Sequence, residues 1–268
     1  MALSLKKVAP THGLLWVRDG FKLFAKRPLA FASLFVLFLA AALFSALIPY
    51  LGGLLQMMAL PLLSLGFMVA SASALNDGPV KPVQFIEPLR VDASRRRALF
   101  ILCATYGICA LLILFLCDAV SGGALQRLQA LMARPAPPQA QIDAILLEPG
   151  VTWAALIAVV LGTALTVPFW HAPALVHWGG QSVGQALFSS TLAMWRSKGA
   201  FFIYGLVWAG VVMLFGVVAA VVFSMLGLRQ MASVLAVPAG LLFSTAFYVS
   251  LLFTFNDSFG GAEPAAKT

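Results

Sequence analysis

The sequence predicts an all-α, polytopic membrane helix bundle: six transmembrane helices arranged as three hairpin repeats, with interfacial helices on the cytoplasmic side. Three observations lead there: the spacing of the apolar runs, the placement of Lys and Arg between them, and a proline inside every second run. With 62% of its residues hydrophobic, 10% charged and a mean hydropathy of +0.98, the chain has too little polar surface to cover a water-soluble globule of 28.5 kDa.

Crossing a bilayer takes about 20 predominantly apolar residues. Runs of that kind lie at about 29–48, 51–75, 98–117, 151–171, 199–226 and 231–255. A cleaved signal peptide is the competing reading of the first run, because LFSAL at 43–47 loosely resembles a small-residue cleavage site. It is set aside because 28 residues precede the run and a second apolar run follows almost at once.

Basic residues orient the spans. Six precede the first run, five lie in 76–97, two in 172–198 and one in the tail, so 14 fall on one side of the bundle. Only Arg127, Arg134 and Arg229 fall on the other. The positive-inside rule then places both termini in the cytoplasm and 118–150 outside. Acidic residues keep the asymmetry, with six on the basic side and three opposite. The net charge of +8 is therefore explained by topology, and no nucleic-acid partner is expected.

Spans pair as 1–2, 3–4 and 5–6, with tight links at 48–52 and 227–230 and a long one at 118–150. Each returning span carries a proline, Pro61, Pro168 or Pro238, and the outgoing spans have none inside. A proline in lipid frees a carbonyl and needs neighbours to satisfy it, so its recurrence supports three diverged hairpin units. Before the first unit, 13–27 reads as an amphipathic interfacial helix, with Leu14, Val17, Phe21 and Phe24 on one face and Arg18, Asp19, Lys22 and Lys26 on the other. Before the third, 182–198 repeats the plan more weakly. Before the second, Pro88 interrupts the segment and Asp92 is placed to cap span 3. The outer loop 118–150 is expected to hold two short helices and is too short to form a core of its own.

The span interiors are free of Asp, Glu, Lys, Arg and His. Ion-coupled transporters, voltage sensors and intramembrane hydrolases usually keep such groups despite their insertion cost, so their absence argues against all three. No nucleophile, zinc or nucleotide motif is present, and Cys103, Cys109 and Cys117 lack metal-ligand spacing, so no catalytic residue, metal or cofactor is assigned. Hydroxyls in the spans, Ser71, Ser73, Thr166 and Thr245 among them, read first as helix-to-helix hydrogen bonds.

One constellation is dense in polar and aromatic residues, PFWHAPALVHWGGQ at 168–181. On one continuous helix His171 and His177 point about 120° apart, which does not suit a shared metal unless the helix breaks, as Pro173 would allow. Trp170, His177 and Trp178 read instead as an interfacial belt at headgroup depth. Asp77 and Asp257 each follow a returning span, at the negative end of a helix. They are expected to pair with basic residues such as Arg18, Arg27, Arg90 or Arg196. The alternative is that both Asn-Asp pairs are ordinary helix-ending turns.

The segments GLLWVRDGFKLFAKRP, IPYLGGLLQMMALPLLSLG, FWHAPALVHWGGQSVGQALFSSTLAMWRSKGAFFIYG and the final FND together resemble a family of uncharacterised six-span inner-membrane proteins of proteobacteria. They are more distantly similar to the membrane domain fused to some glycerophosphodiester phosphodiesterases. The resemblance implies an inner-membrane location and the repeated plan of interfacial helix and hairpin, and it transfers no catalytic residue. The function expected is non-enzymatic: binding or organising lipid, anionic headgroups foremost, or a partner membrane protein. The contacts would come from a basic collar of Arg18, Lys22, Lys26, Arg27, Arg90, Arg95, Arg96, Arg97 and Arg196, with Trp170, His177 and Trp178. The alternative is a transporter or channel for a neutral or amphiphilic solute, for which a continuous polar path would speak.

Overall fold

The computed structural model describes residues 3–48, 51–90, 92–134, 137–227 and 229–260, the side chains of 229–233 excepted. The last residues of the tail, with Lys267, and part of the 48–52 link therefore lie outside the described residues. Within them the chain is helical, with no strand: α1 (His12–Lys26), α2 (Pro28–Ala46), α3 (Gly52–Leu75), two 3-10 turns (Pro82–Phe85 and Glu87–Leu89), α4 (Ala93–Ser121), α5 (Ala124–Met132), α6 (Gln139–Leu146), α7 (Pro149–Phe169), α8 (Ala172–His177), α9 (Val183–Arg196), α10 (Lys198–Met225) and α11 (Arg229–Phe259). Six stretches are long and apolar enough to cross a membrane: α2, α3, α4, α7 continued by α8, α10, and α11 from Val234.

Local chemistry sets the ends of these elements. Pro28 occupies the first turn of α2, where its missing N–H costs nothing. Asp92 caps α4 by accepting from the Arg95 amide at 2.9 Å, and Ser182 caps α9 in a reciprocal box with Gln185. Gly122 and Gly123, both at positive φ, turn the chain from α4 into α5.

Consecutive spans pack as α2 on α3, α4 on α7 and α10 on α11, with α3 and α11 also meeting at the centre. Each segment leading into a pair packs on a different pair. The 3-10 turns that precede α4 lie on α3, α9 precedes α10 but lies on α7 and α8, and α1 precedes α2 but lies on α10 and α11. The lead-in segments thus link the pairs into a closed cycle.

α1 is seated lengthwise rather than laid across the bundle. Its Gly13 meets Ala200 and Tyr204, Trp16 packs on Phe201 and Tyr204, and Phe21 reaches Trp208, so α1 runs parallel to α10. Against α11 it is antiparallel, from His12 beside Asp257 to Gly20 beside Ser250. The buried stripe is Gly13, Trp16, Val17, Gly20 and Leu23. The stripe expected from hydrophobicity was Leu14, Val17, Phe21 and Phe24, yet Leu14 is 54% exposed. Two glycines explain the difference, because only a surface without side chains lets the helix axes approach this closely.

Candidate functional site

The end of the bundle that carries α1, α8 and α9 also gathers the basic residues. Its framework is built around α8. Residues 171 to 177 are buried without interruption, which few seven-residue stretches between two helices achieve. Pro173 lacks an N–H, and α7 stops at Phe169. The break is held by Ser190 of α9. Its hydroxyl accepts from the His171 amide at 3.0 Å and donates to the Val167 carbonyl at 3.1 Å, so it stands inside what would have been one helical hydrogen bond.

Asp257 is held by α1. Its Oδ2 accepts from Trp16 Nε1 at 2.7 Å and lies 2.7 Å from His12 Nδ1. These partners correct the expectation of an Arg or Lys such as Arg18, Arg90 or Arg196. An acid at the negative end of α11 is compensated by an indole N–H and an imidazole placed by the first turns of α1. Asp77 differs again. It is exposed, sits at φ 55° and makes no ion pair among the described residues. Arg27 does reach this turn, but through the carbonyl oxygens of Asp77, at 3.0 Å, and Gly78. The turn is the pinned group, and the carboxylate is left to solvent.

The residues of the aromatic belt also make contacts within the protein. Trp170 is half-buried, donates to Thr254 Oγ1 at 3.2 Å and sits edge-on to Phe201, Tyr204 and Phe247. His177 is buried, and Trp178 packs on Phe255. These residues pack on the protein around α8. The exposed tryptophans are Trp195, 71% exposed with Lys198 Nζ 5.5 Å from its ring, and Trp153 near the opposite end. On α9 the small residues Ala186, Ser190 and Ala193 face inward, and Phe188 and Trp195 face out. A rule that small residues pack and aromatics anchor would have found this face.

The basic residues fall into two groups. Arg95 is committed to the protein, pairing with Asp92 at 3.1 Å and donating to the His177 carbonyl at 3.0 Å. Arg27 holds the 77–78 turn, and Arg18 and Lys22 share Asp19, at 2.8 and 3.9 Å. The Arg18 guanidinium is raised above its ordinary pKa, chiefly by its hydrogen bond to Asp19. Lys26, Arg90, Arg96, Arg97 and Arg196 are exposed and make no ion pair among the described residues. At the opposite end Arg127 is paired with Glu148 at 2.7 Å.

Two apolar grooves run along the spans. One, of about 470 Å3, lies between α2 and α3 beneath the 3-10 turns, with Phe38 and Leu63 as walls and Val83 and Ile86 as roof. The other, of about 520 Å3, lies between α10 and α11 beside Trp208 and Phe243. Three of the hydroxyls that a polar path would need are spent elsewhere, and Ser71 is buried with its Oγ unpartnered among the described residues. Thr245 and Thr166 each bond a carbonyl of their own helix, and Ser73 bonds Pro79. Among the described residues no group of three His, Cys, Asp or Glu side chains is placed to hold a metal ion.

The chain is 31% identical, over 266 residues, to a probable inner membrane protein of Burkholderia thailandensis, and the similarity covers 98% of this chain and 97% of the relative. The chain belongs to the family of that inner-membrane protein. No family model and no solved structure matches it. Nothing in these comparisons links the family to glycerophosphodiester phosphodiesterases. Near full-length similarity, together with six apolar spans, makes it a multi-pass inner-membrane protein.

Proposed function

We propose that the protein is a non-enzymatic component of the inner membrane that binds and organises anionic lipid through its basic end, with both termini in the cytoplasm and the three helix pairs as diverged copies of one hairpin unit. One observation carries the reading: Lys26, Arg90, Arg96, Arg97 and Arg196 are exposed at one end and make no ion pair among the described residues. Each such cation contributes about 1 kcal/mol against an anionic leaflet. Trp195 and Phe188 on the same end supply the apolar anchorage that interfacial attachment needs. The grooves between α2 and α3 and between α10 and α11 suit acyl chains, and their apolar walls favour lipid over a hydrated solute.

The test is native mass spectrometry of the protein extracted with its own lipids. Anionic phospholipid should be retained by the wild type and lost on replacing Arg90, Arg96, Arg97 and Arg196 by Gln, while replacing Arg127 leaves it in place. Retention unchanged in the fourfold variant would overturn the assignment, and copurification of a membrane protein in place of lipid would redirect it.

A further inference from the structure

A cavity of about 150 Å3 lies where the three returning helices face one another, near the middle of the spans, and it opens to the surface of the bundle. Its polar groups divide into two kinds. Ser64 Oγ donates to the Pro61 carbonyl at 2.8 Å, Thr166 Oγ1 to the Gly162 carbonyl at 2.7 Å, and Trp170 Nε1 to Thr254 at 3.2 Å, so these donors are spent. Tyr106 of α4 and Tyr248 of α11 also line the cavity, and their hydroxyls make no hydrogen bond among the described residues. Both rings are nonetheless fixed. Tyr106 sits edge-on to Phe169 at 5.1 Å, and Tyr248 stacks on Phe67 at 5.4 Å.

We infer that this cavity is a binding site for an uncharged, membrane-dissolved amphiphile that presents a carbonyl oxygen to the Tyr106 and Tyr248 hydroxyls. Two donors held by their rings inside a membrane core are costly to leave unmade, and an acceptor placed between them removes that cost. No Asp, Glu, Lys, Arg or His lines the cavity, so a charged ligand would find no counter-ion. The remaining wall is apolar, formed by Leu60, Pro61, Phe169, Phe247 and Leu251. A cavity of roughly 150 Å3 accommodates a benzene-sized group, which sets the scale of the head that enters. The carbonyl can come from a ring, as in an alkylated quinone, or from the ester of an acyl lipid.

Three probes separate these cases in native mass spectrometry of the purified protein: a decyl-substituted benzoquinone, methyl laurate, and decylbenzene, which has a ring and tail but no carbonyl. At least one carbonyl probe should bind about tenfold or more tightly than decylbenzene, the scale expected of one or two added hydrogen bonds. The probe that does so identifies the source. The double variant Tyr106→Phe/Tyr248→Phe keeps both rings and should erase that preference. Leu60→Phe fills the cavity with both hydroxyls intact and should abolish binding. Equal binding of decylbenzene, an unchanged preference in the double variant, full binding to Leu60→Phe, or no binding of any probe to the wild type would each overturn the inference. None of these residues belongs to the basic end, so the outcome is independent of the lipid assignment made there.

Discussion

The two ends of α10 show two ways of being a membrane helix. At its basic end Ala200, Tyr204 and Trp208 are buried against α1 and α11, and Tyr204 shares a 2.7 Å hydrogen bond with Ser250. Past Val212 the same helix is bare, with Met213, Leu214 and Val217 exposed and Met225 83% exposed. The outer parts of α2 and α11 behave alike, Leu43, Phe44 and Val237 being exposed. Lipid solvates an apolar side chain as well as protein does, so exposure of leucines there needs no correction. Specificity must come from close backbone approach and internal hydrogen bonds, and at the basic end these join α1, α10 and α11.

The largest effect should come from the close approach of α1 to its neighbours. A Cβ at Gly13 falls on the backbone of Ala200 and Tyr204, and one at Gly20 lies 2.5 Å from Ser250 Cβ. Gly13→Leu should therefore unseat α1 and lower stability by about 1–3 kcal/mol or more, the range of core overpacking. Gly216 has open space around it, and Gly216→Leu should stay within about 0.5 kcal/mol of wild type. Thermal unfolding of the two variants in the same detergent makes the measurement. Similar midpoints would mean that the two ends do not differ in the way proposed.

The unequal distribution also explains what could be read from sequence. Six spans, their approximate limits and the Asp92 cap were legible, because length, hydropathy and capping chemistry are local properties. The seating of α1 was not. A periodicity of large apolar residues put Leu14 on the packed face, whereas close packing against the neighbouring helices is made at Gly13 and Gly20, which hydropathy scores as nearly neutral. Asp257 was legible as an acid that needed compensation, but its partners lie more than 240 positions away and are not the cations that charge alone suggests. The packing of Trp170 on Phe247 and of Trp178 on Phe255 was not legible either, because it depends on the break after Phe169.

Next in size is the Asp257 cluster. Asp257→Ala removes a charged acceptor from Trp16 and His12, and hydrogen bonds to charged groups contribute about 1.5–3 kcal/mol. Trp16→Phe deletes the indole donor and keeps most of the ring. In a double-mutant cycle of the two, the double variant should cost less than the sum of the singles, and strict additivity would show that the contact contributes nothing to holding α1.

Ser190→Ala should cost about 1 kcal/mol, near the lower part of the range for a lost buried hydrogen bond. The loss is moderated because the His171 amide and Val167 carbonyl that the hydroxyl separates are themselves a matched pair. Faster amide hydrogen exchange at His171, with exchange on the outer part of α10 unchanged, is the expected signature. An equal response at both places would make the serine a general stabiliser and not the clamp of the α7–α8 break.

The smallest effect belongs to the opposite end, where Arg127 and Glu148 join α5 to the residue before α7. Their side chains are 51% and 39% exposed. A pair in that setting contributes about 0–1 kcal/mol, because water already solvates both charges and ordering two long side chains costs entropy. Arg127→Gln should shift the unfolding midpoint little at low salt and not at all near 1 M, where the screening length falls to about 3 Å. A loss comparable to Asp257→Ala would reverse the comparison between the ends, because it would make the outer loop as strong a tie as the contact of Asp257 with the buried Trp16 of α1.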